Sequence, residues 1–126
     1  MALRCFVACA LRRPERAEVD RRISRLVERC CDHARRFAEL LGASDGVEIL
    51  NDVVLNQVLV RFGDDDELTR AVIHEVQEDG TCWLGGTTWR GVAAMRVSVT
   101  SWRTTDEDVE RSAGAILRAA AAARVA

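Results

Sequence analysis

All eighteen basic residues of this 126-residue sequence are arginine, and lysine is absent. Chemistry that needs a side-chain amine as nucleophile, Schiff-base former or general base is therefore closed to these residues. What remains are two histidines, five cysteines, twenty carboxylates and the planar fork of arginine. Arg96 has the most suggestive setting, Met95-Arg96-Val97-Ser98-Val99, where strand alternation puts it on one face with Ala94 and Ser98 and opposite Met95, Val97 and Val99. Such an arginine is either a rim charge beside an acid or a fork aimed at a carboxylate, and the pattern leaves both open.

Other constellations are weaker. His33 lies one turn from Cys30 and Arg36 at the edge of an apolar stripe, but without a third ligand a metal site is unsupported. Cys5, Cys9, Cys30, Cys31 and Cys82 are odd in number and show neither a CxxC pair nor zinc spacing, which fits a reduced, cytoplasmic chain with unpaired thiols. Cys82 reads as a small buried hydrophobe in a strand rather than a nucleophile. Ser98, Ser101 and Ser112 have no elbow motif around them and no neighbouring histidine. The run from Asp64 through Asp65, Asp66 and Glu67 could suggest a cation, yet it matches a helix start with a capping aspartate and a glutamate three positions later.

The elements that position these groups follow from periodicity. Ile23, Leu26, Val27, Cys30, Ala34, Phe37 and Leu41 recur at helical spacing and predict a helix from Glu18 to Leu41, stopped by Gly42. Strands are expected at Val47–Leu50 and Val53–Phe62, the second too continuously apolar to have one wet face. Leu68, Val72 and Val76 give the next helix its buried side, put His74 on the wet side, and lead to a stop at Gly80. Thr81–Leu84 and Ala93–Thr100 then read as an antiparallel pair joined by a loop, Gly85 to Gly91. Its glycines precede no helix, so they make no phosphate cradle. Thr104 with Glu107 signals the last helix, striped by Val109, Ala113, Ile116, Leu117 and Ala120. The expected class is α+β, about four strands in an antiparallel or mixed sheet with three helices, in the order α-β-β-α-β-β-α.

Composition bounds the function. A chain of 126 residues with 48% hydrophobic and 30% charged content suits one soluble domain. A net charge of -2 leaves no positive excess for a phosphate backbone, and the arginines from Arg12 to Arg36 are interleaved with Glu15, Glu18, Asp20, Glu28 and Asp32, so nucleic acid is not an expected partner. Arg4 interrupts the apolar stretch Met1–Arg13, which lacks a small-residue cleavage site, and no run is long enough to span a bilayer; neither a signal peptide nor a membrane partner is expected.

The run LNDVVLNQVLVRFGDDDELTRAV, followed by EDGTCWLGGTTWRGVAAMRVSVTSWRTTDEDVERSAGAIL, resembles the carboxy-terminal small domain of the group II pyridoxal-phosphate-dependent amino acid decarboxylases, the family of the aromatic-amino-acid, glutamate and diaminobutyrate enzymes. The likeness begins near Leu26-Val27-Glu28-Arg29. It divides the chain into an extension, residues 1–24, and a decarboxylase-like domain, residues 25–126. The resemblance implies that Arg96 binds the substrate carboxylate and that Thr87, Thr88, Trp89 and Arg90 form a loop reaching toward the active site. It also implies pyridoxal phosphate as the cofactor of the complete enzyme.

The family's cofactor lysine, its ring-covering histidine, its ring-nitrogen aspartate and its phosphate loop belong to the large domain and have no counterpart here. Without a lysine and the ring aspartate, the cofactor's carbanion stabilisation is missing. The expectation is a truncated or separately encoded small domain that binds no cofactor alone, is inactive alone, and works with a large domain in cis or trans or self-associates. The alternative is an independent α+β binding or dimerisation module that kept the fold and lost the chemistry.

Overall fold

The computed structural model describes residues 15–126, so the expectations placed on Met1–Arg13, Cys5 and Cys9 lie outside the described residues. The chain forms α1 (Arg16–Gly42), β1 (Val47–Ile49), β2 (Gln57–Phe62), α2 (Asp66–Asp79), β3 (Gly85–Trp89), β4 (Val92–Ser98) and α3 (Asp106–Val125). This is the expected order. The four strands make one fully antiparallel sheet in the order β1-β2-β4-β3.

All three helices lie on one face of that sheet, giving two layers around a single core. Val58, Val60 and Phe62 of β2 and Met95 of β4 have no solvent exposure; they point into the helices and meet Phe37 and Leu41 of α1, Val72 and Val76 of α2, and Val109 and Ile116 of α3. Burial of each such side chain stabilises the fold by about 1.5–3 kcal/mol. Among the described residues the other face of the sheet carries no helix.

The stripe of α1 is buried only from Cys30 onward; Ile23 and Val27 are half exposed because the first half of the helix extends past the sheet. The helix continues unbroken through residues 24 and 25. Three groups of predicted boundaries need correction. β2 begins at Gln57 rather than Val53, since Val54 and Leu55 sit in an exposed connection before it, and the Asn51 side chain braces the start of the strand, its Oδ1 accepting from Leu59 N at 2.8 Å. The continuous apolar run is thus part connection and part strand. The caps fall one residue later than expected. Asp65, not Asp64, caps α2 by accepting from Glu67 N at 2.8 Å, while Thr105 and Asp108, not Thr104 and Glu107, form the capping box of α3. Runs of adjacent capping residues make such one-step slips invisible to pattern alone.

The third correction concerns the glycine-rich segment. Gly85–Trp89 is strand β3, and only Arg90 and Gly91 form the turn to β4. Thr81–Leu84, expected as strand, precedes it as an irregular connection containing Cys82. Arg90 (φ 48°) and Gly91 (φ 84°) are both left-handed, the two-residue hairpin geometry that matches strand twist. Arginine at the first of these positions costs about 1 kcal/mol. Elsewhere Gly46 (φ 74°) has a tight neighbour, because a Cβ there would stand 2.8 Å from the Arg124 guanidinium, which donates to the carbonyls of Asp45 and Gly46 and ties the end of α3 to the start of β1.

Candidate functional site

The bare face of the sheet is built from alternate residues: Leu59 and Arg61 of β2, Ala94, Arg96 and Ser98 of β4, and Gly85, Thr87 and Trp89 of β3. Arg96 is where alternation put it, exposed, between Leu59 on one neighbouring strand and Gly85 on the other. Nothing lies within 4 Å of where a Gly85 side chain would begin, so the guanidinium stem has open space on that side. Among the described residues Arg96 forms no ion pair. An arginine with no internal carboxylate keeps its whole fork available to an external one.

The four residues expected beside it do not all converge. Thr87, opposite Ala94, shares the bare face and is a diagonal neighbour of Arg96, about 7–8 Å away by sheet geometry. Trp89 shares the face but pairs with Val92, about 13 Å along β4 from Arg96 at roughly 3.3 Å per residue. Thr88, opposite Ala93, stands on the helix-facing side. Arg90 is in the turn, its guanidinium 5.4 Å from the Trp89 ring centroid. Trp89, Arg90, Glu48 and Arg61 line a shallow hollow of about 430 Å³ at that far end.

Pattern reading passed over Arg61. Its side chain is only 11% exposed, with Nε donating to the Gly63 carbonyl at 3.2 Å and a terminal nitrogen 3.3 Å from Asp66 Oδ1. That Asp66 oxygen also accepts from Ala93 N at 3.1 Å, joining the starts of α2 and β4. Its alternation with Leu59 was a readable signal, but only strand pairing reveals that Arg61 and Arg96 share a face.

Of the remaining groups, His33 is buried with Nε2 3.0 Å from Asp106 Oδ1, a link between α1 and α3 rather than a pair with Cys30 and Arg36. Arg36 is held instead by Glu110 at 2.6 Å and by Glu39, and these carboxylates raise its already high pKa. His74 is exposed, as expected. Cys82 is half-buried, and that burial pushes its thiol pKa up despite a hydrogen bond from Ser112, so it is a poor nucleophile at neutral pH. No group of three or more metal-binding side chains converges among the described residues.

No family model matches the chain, and no curated protein matches it. Solved structures do. Oryza sativa TDC with PLP and tryptamine superposes with a TM-score of 0.73 at 16% identity, over 78% of this chain and 23% of that one. Catharanthus roseus tryptophan decarboxylase in complex with L-tryptophan gives 0.73 at 18% identity, over 78% of this chain and 22% of its own. The glutamate decarboxylase domain of a diaminobutyrate-pyruvate transaminase and L-2,4-diaminobutyrate decarboxylase from Vibrio parahaemolyticus gives 0.66 at 25% identity, over 77% and 22%. The fold is thus that of a segment of the PLP-dependent aromatic amino acid and glutamate decarboxylases, and the chain spans less than a quarter of the length of these three.

The residues present do not fit the cofactor itself. The sequence offers no side-chain amine. Helix N-termini, the usual seat for a phosphate, carry carboxylates here: Glu18 on α1, Asp66 and Glu67 on α2, and Asp106, Glu107 and Asp108 on α3. A phosphate placed at any of them would meet like charge.

Proposed function

We propose that residues 25–126 act as the carboxy-terminal small domain of a group II PLP-dependent amino acid decarboxylase, with the cofactor held by a large domain supplied in cis or in trans. The residues 1–24 are an extension of that unit. In this reading the 126 residues are inactive alone, and their contribution to the reaction is recognition: Arg96 offers two parallel N–H groups to the substrate carboxylate, and Thr87 beside it offers a hydroxyl. The observation that carries the proposal is the contrast between an unpaired, exposed arginine on a helix-free sheet face and the open space over Gly85 next to it. Trp89 and Arg90 have a smaller part, as the far rim of that face, and Thr88, on the opposite side of the sheet, has none there.

The role follows from charge. A carboxylate approaching Arg96 meets no competing acid on the arginine among the described residues, and partial exclusion of water by a covering domain would strengthen the paired hydrogen bonds. Holding the carboxylate fixes the orientation of the amino acid's α-carbon bonds, which is a positioning contribution. The amino acid's side chain would meet groups supplied by the large domain.

The test replaces the corresponding segment of the Vibrio parahaemolyticus decarboxylase domain by residues 25–126 and measures carbon dioxide release. Activity in the hybrid and none in the 126-residue chain mixed with PLP supports the reading. A hybrid that folds and binds PLP but releases no carbon dioxide would point to the alternative, a module that kept the fold without the chemistry.

A further inference from the structure

A cleft of about 370 Å³ opens between the end of β4, the first half of α3 and the connection that precedes β3. Its floor is hydrocarbon from the core: Phe37 of α1, Leu84, Val97 of β4 and Ile116 of α3. Its sides carry the hydroxyls of Ser101, Thr104 and Ser112 and the Cys82 thiol, which is hydrogen-bonded to Ser112. Trp83 lines the same space while 81% exposed, which puts its ring at the mouth. The walls are tied from several elements. Gln77 of α2 donates to the Leu84 carbonyl at 2.9 Å, Asn56 and Val99 exchange hydrogen bonds at 2.9 Å, and Arg103 N donates to Ser101 Oγ at 3.1 Å. The space is therefore formed before anything enters it, and it falls within the roughly 300–1,000 Å³ of small-molecule sites.

The charges that line it are Arg103, Arg111 and Asp108. Asp108 accepts from Thr105 N at 3.0 Å and lies 3.8 Å from Arg111, which also faces Glu107 at 3.5 Å. Asp79 accepts from Thr81 N at 3.3 Å. On the other side of Arg103, the acids of the neighbouring hollow are answered by groups other than Arg103: Asp32 by Arg35, Glu110 by Arg36 and Asp106 by His33. Arg103 itself has no ion pair among the described residues; its guanidinium rests 5.1 Å from the Trp102 ring centroid. One unanswered guanidinium above a hydrocarbon floor selects a singly charged anion with an apolar body. An amine would meet two arginines, and a phosphate would leave the floor uncovered while bringing more charge than one arginine answers.

We propose that this cleft binds a small monocarboxylate with an aromatic or branched hydrocarbon body. The body lies over Phe37, Val97 and Ile116, and the carboxylate meets Arg103 and the hydroxyls of Ser101 and Thr104. At roughly 30 Å³ per water the space corresponds to about a dozen waters, which suits a single-ring acid. The proposal does not rest on the role of Arg96, which stands on the bare face.

Calorimetric titration of the 126-residue chain with 3-phenylpropionate tests it. One site with a Kd of about 0.1–1 mM is expected, while 3-phenylpropylamine, acetate and inorganic phosphate should each bind at least about 10-fold more weakly. Arg103→Ala should weaken the acid about 10-fold, and Ser112→Leu, which fills the cleft, should abolish binding, with circular dichroism confirming that each variant is folded. Saturating 3-phenylpropionate should also slow alkylation of Cys82 by iodoacetamide at least about 5-fold, because the thiol lines the same space. Three results overturn the proposal: no binding to the folded chain at about 10 mM acid, amine or phosphate binding as tight as the acid, or binding that is lost in Arg96→Ala and kept in Arg103→Ala. The last would place the probe on the bare face instead.

Discussion

Arg61 and Arg96 share one sheet face, yet they occupy opposite conditions. Arg61 is nearly enclosed, and its donors go to Asp66 and the Gly63 carbonyl, while Arg96 is open to solvent and unpaired among the described residues. The same side chain therefore serves to fasten the start of α2 to the sheet in one place and remains available in the other. Residue type and strand parity are alike for the two; what separates them is whether the fold brings a carboxylate. Arg61 has one because only three residues separate the end of β2 from the start of α2, which puts Asp66 within reach. Arg96 lies on β4, where the two neighbouring strands offer only Leu59 and Gly85.

That contrast extends to the two sides of the sheet and can be broken experimentally. The largest effect is expected on the helix side: Phe62→Ala should cost about 3–5 kcal/mol in urea unfolding, because the side chain is wholly buried among three helices. A loss under about 1 kcal/mol would mean that the core is not where it is placed. Next, Arg61→Ala should cost about 1–3 kcal/mol, since it removes a packed stem and leaves Asp66 without its close cation. Arg96→Ala should change unfolding by no more than about 0.5 kcal/mol. Similar losses at both arginines would erase the distinction between a structural and an available guanidinium.

Thr105→Ala should cost about 1 kcal/mol by opening the capping box of α3. The partner in that box sets a pH dependence. Asp108 is held below the usual carboxylate range by the backbone N–H of Thr105, then by its hydroxyl. Because its folded pKa lies below the unfolded value, the linked stability is present above about pH 4 and is lost as pH falls through the folded pKa. Asp108→Asn should flatten that acid-side decline in unfolding curves measured from neutral to low pH. An unchanged slope would remove Asp108 from the account. The smallest effect is kinetic: with its pKa raised by burial, Cys82 should react with iodoacetamide at neutral pH more slowly than a free thiol of ordinary pKa, followed by mass spectrometry.

The element order and the antiparallel arrangement were legible because apolar spacing carries them: the α1 stripe from Cys30 to Leu41, the Val72 and Val76 pair, and the Met95, Val97 and Val99 alternation all face the core they predict. The position of Arg96 followed from that same alternation. The antiparallel pairing of this hairpin was legible, but the bounds of its first strand and turn were not. Gly85 and Gly86 have low strand preference and mask the strand-favouring Thr87, Thr88 and Trp89, so that only pairing with β4 makes Gly85–Trp89 a strand. That mistake also grouped Thr88 with Thr87, although strand geometry sends them to opposite faces. The role of His33 depends on Asp106, distant in the chain, so no local pattern contains it; Arg61 finds Asp66 only five residues on, but the tight turn that brings the two together is a property of the fold and not of the apolar spacing.

The central claim is that Arg96 is an unencumbered carboxylate fork in a decarboxylase small domain. Its most direct test is kcat/KM for amino acid decarboxylation in the hybrid enzyme bearing Arg96, Arg96→Lys and Arg96→Ala. Lysine preserves the charge and loses the planar pair of donors, so both variants should fall by about 1.5–3 kcal/mol of transition-state stabilisation, roughly 10- to 150-fold, with unfolding midpoints unchanged. Equal kcat/KM in all three proteins would contradict the claim and leave Arg96 as a solvent-facing charge on the sheet.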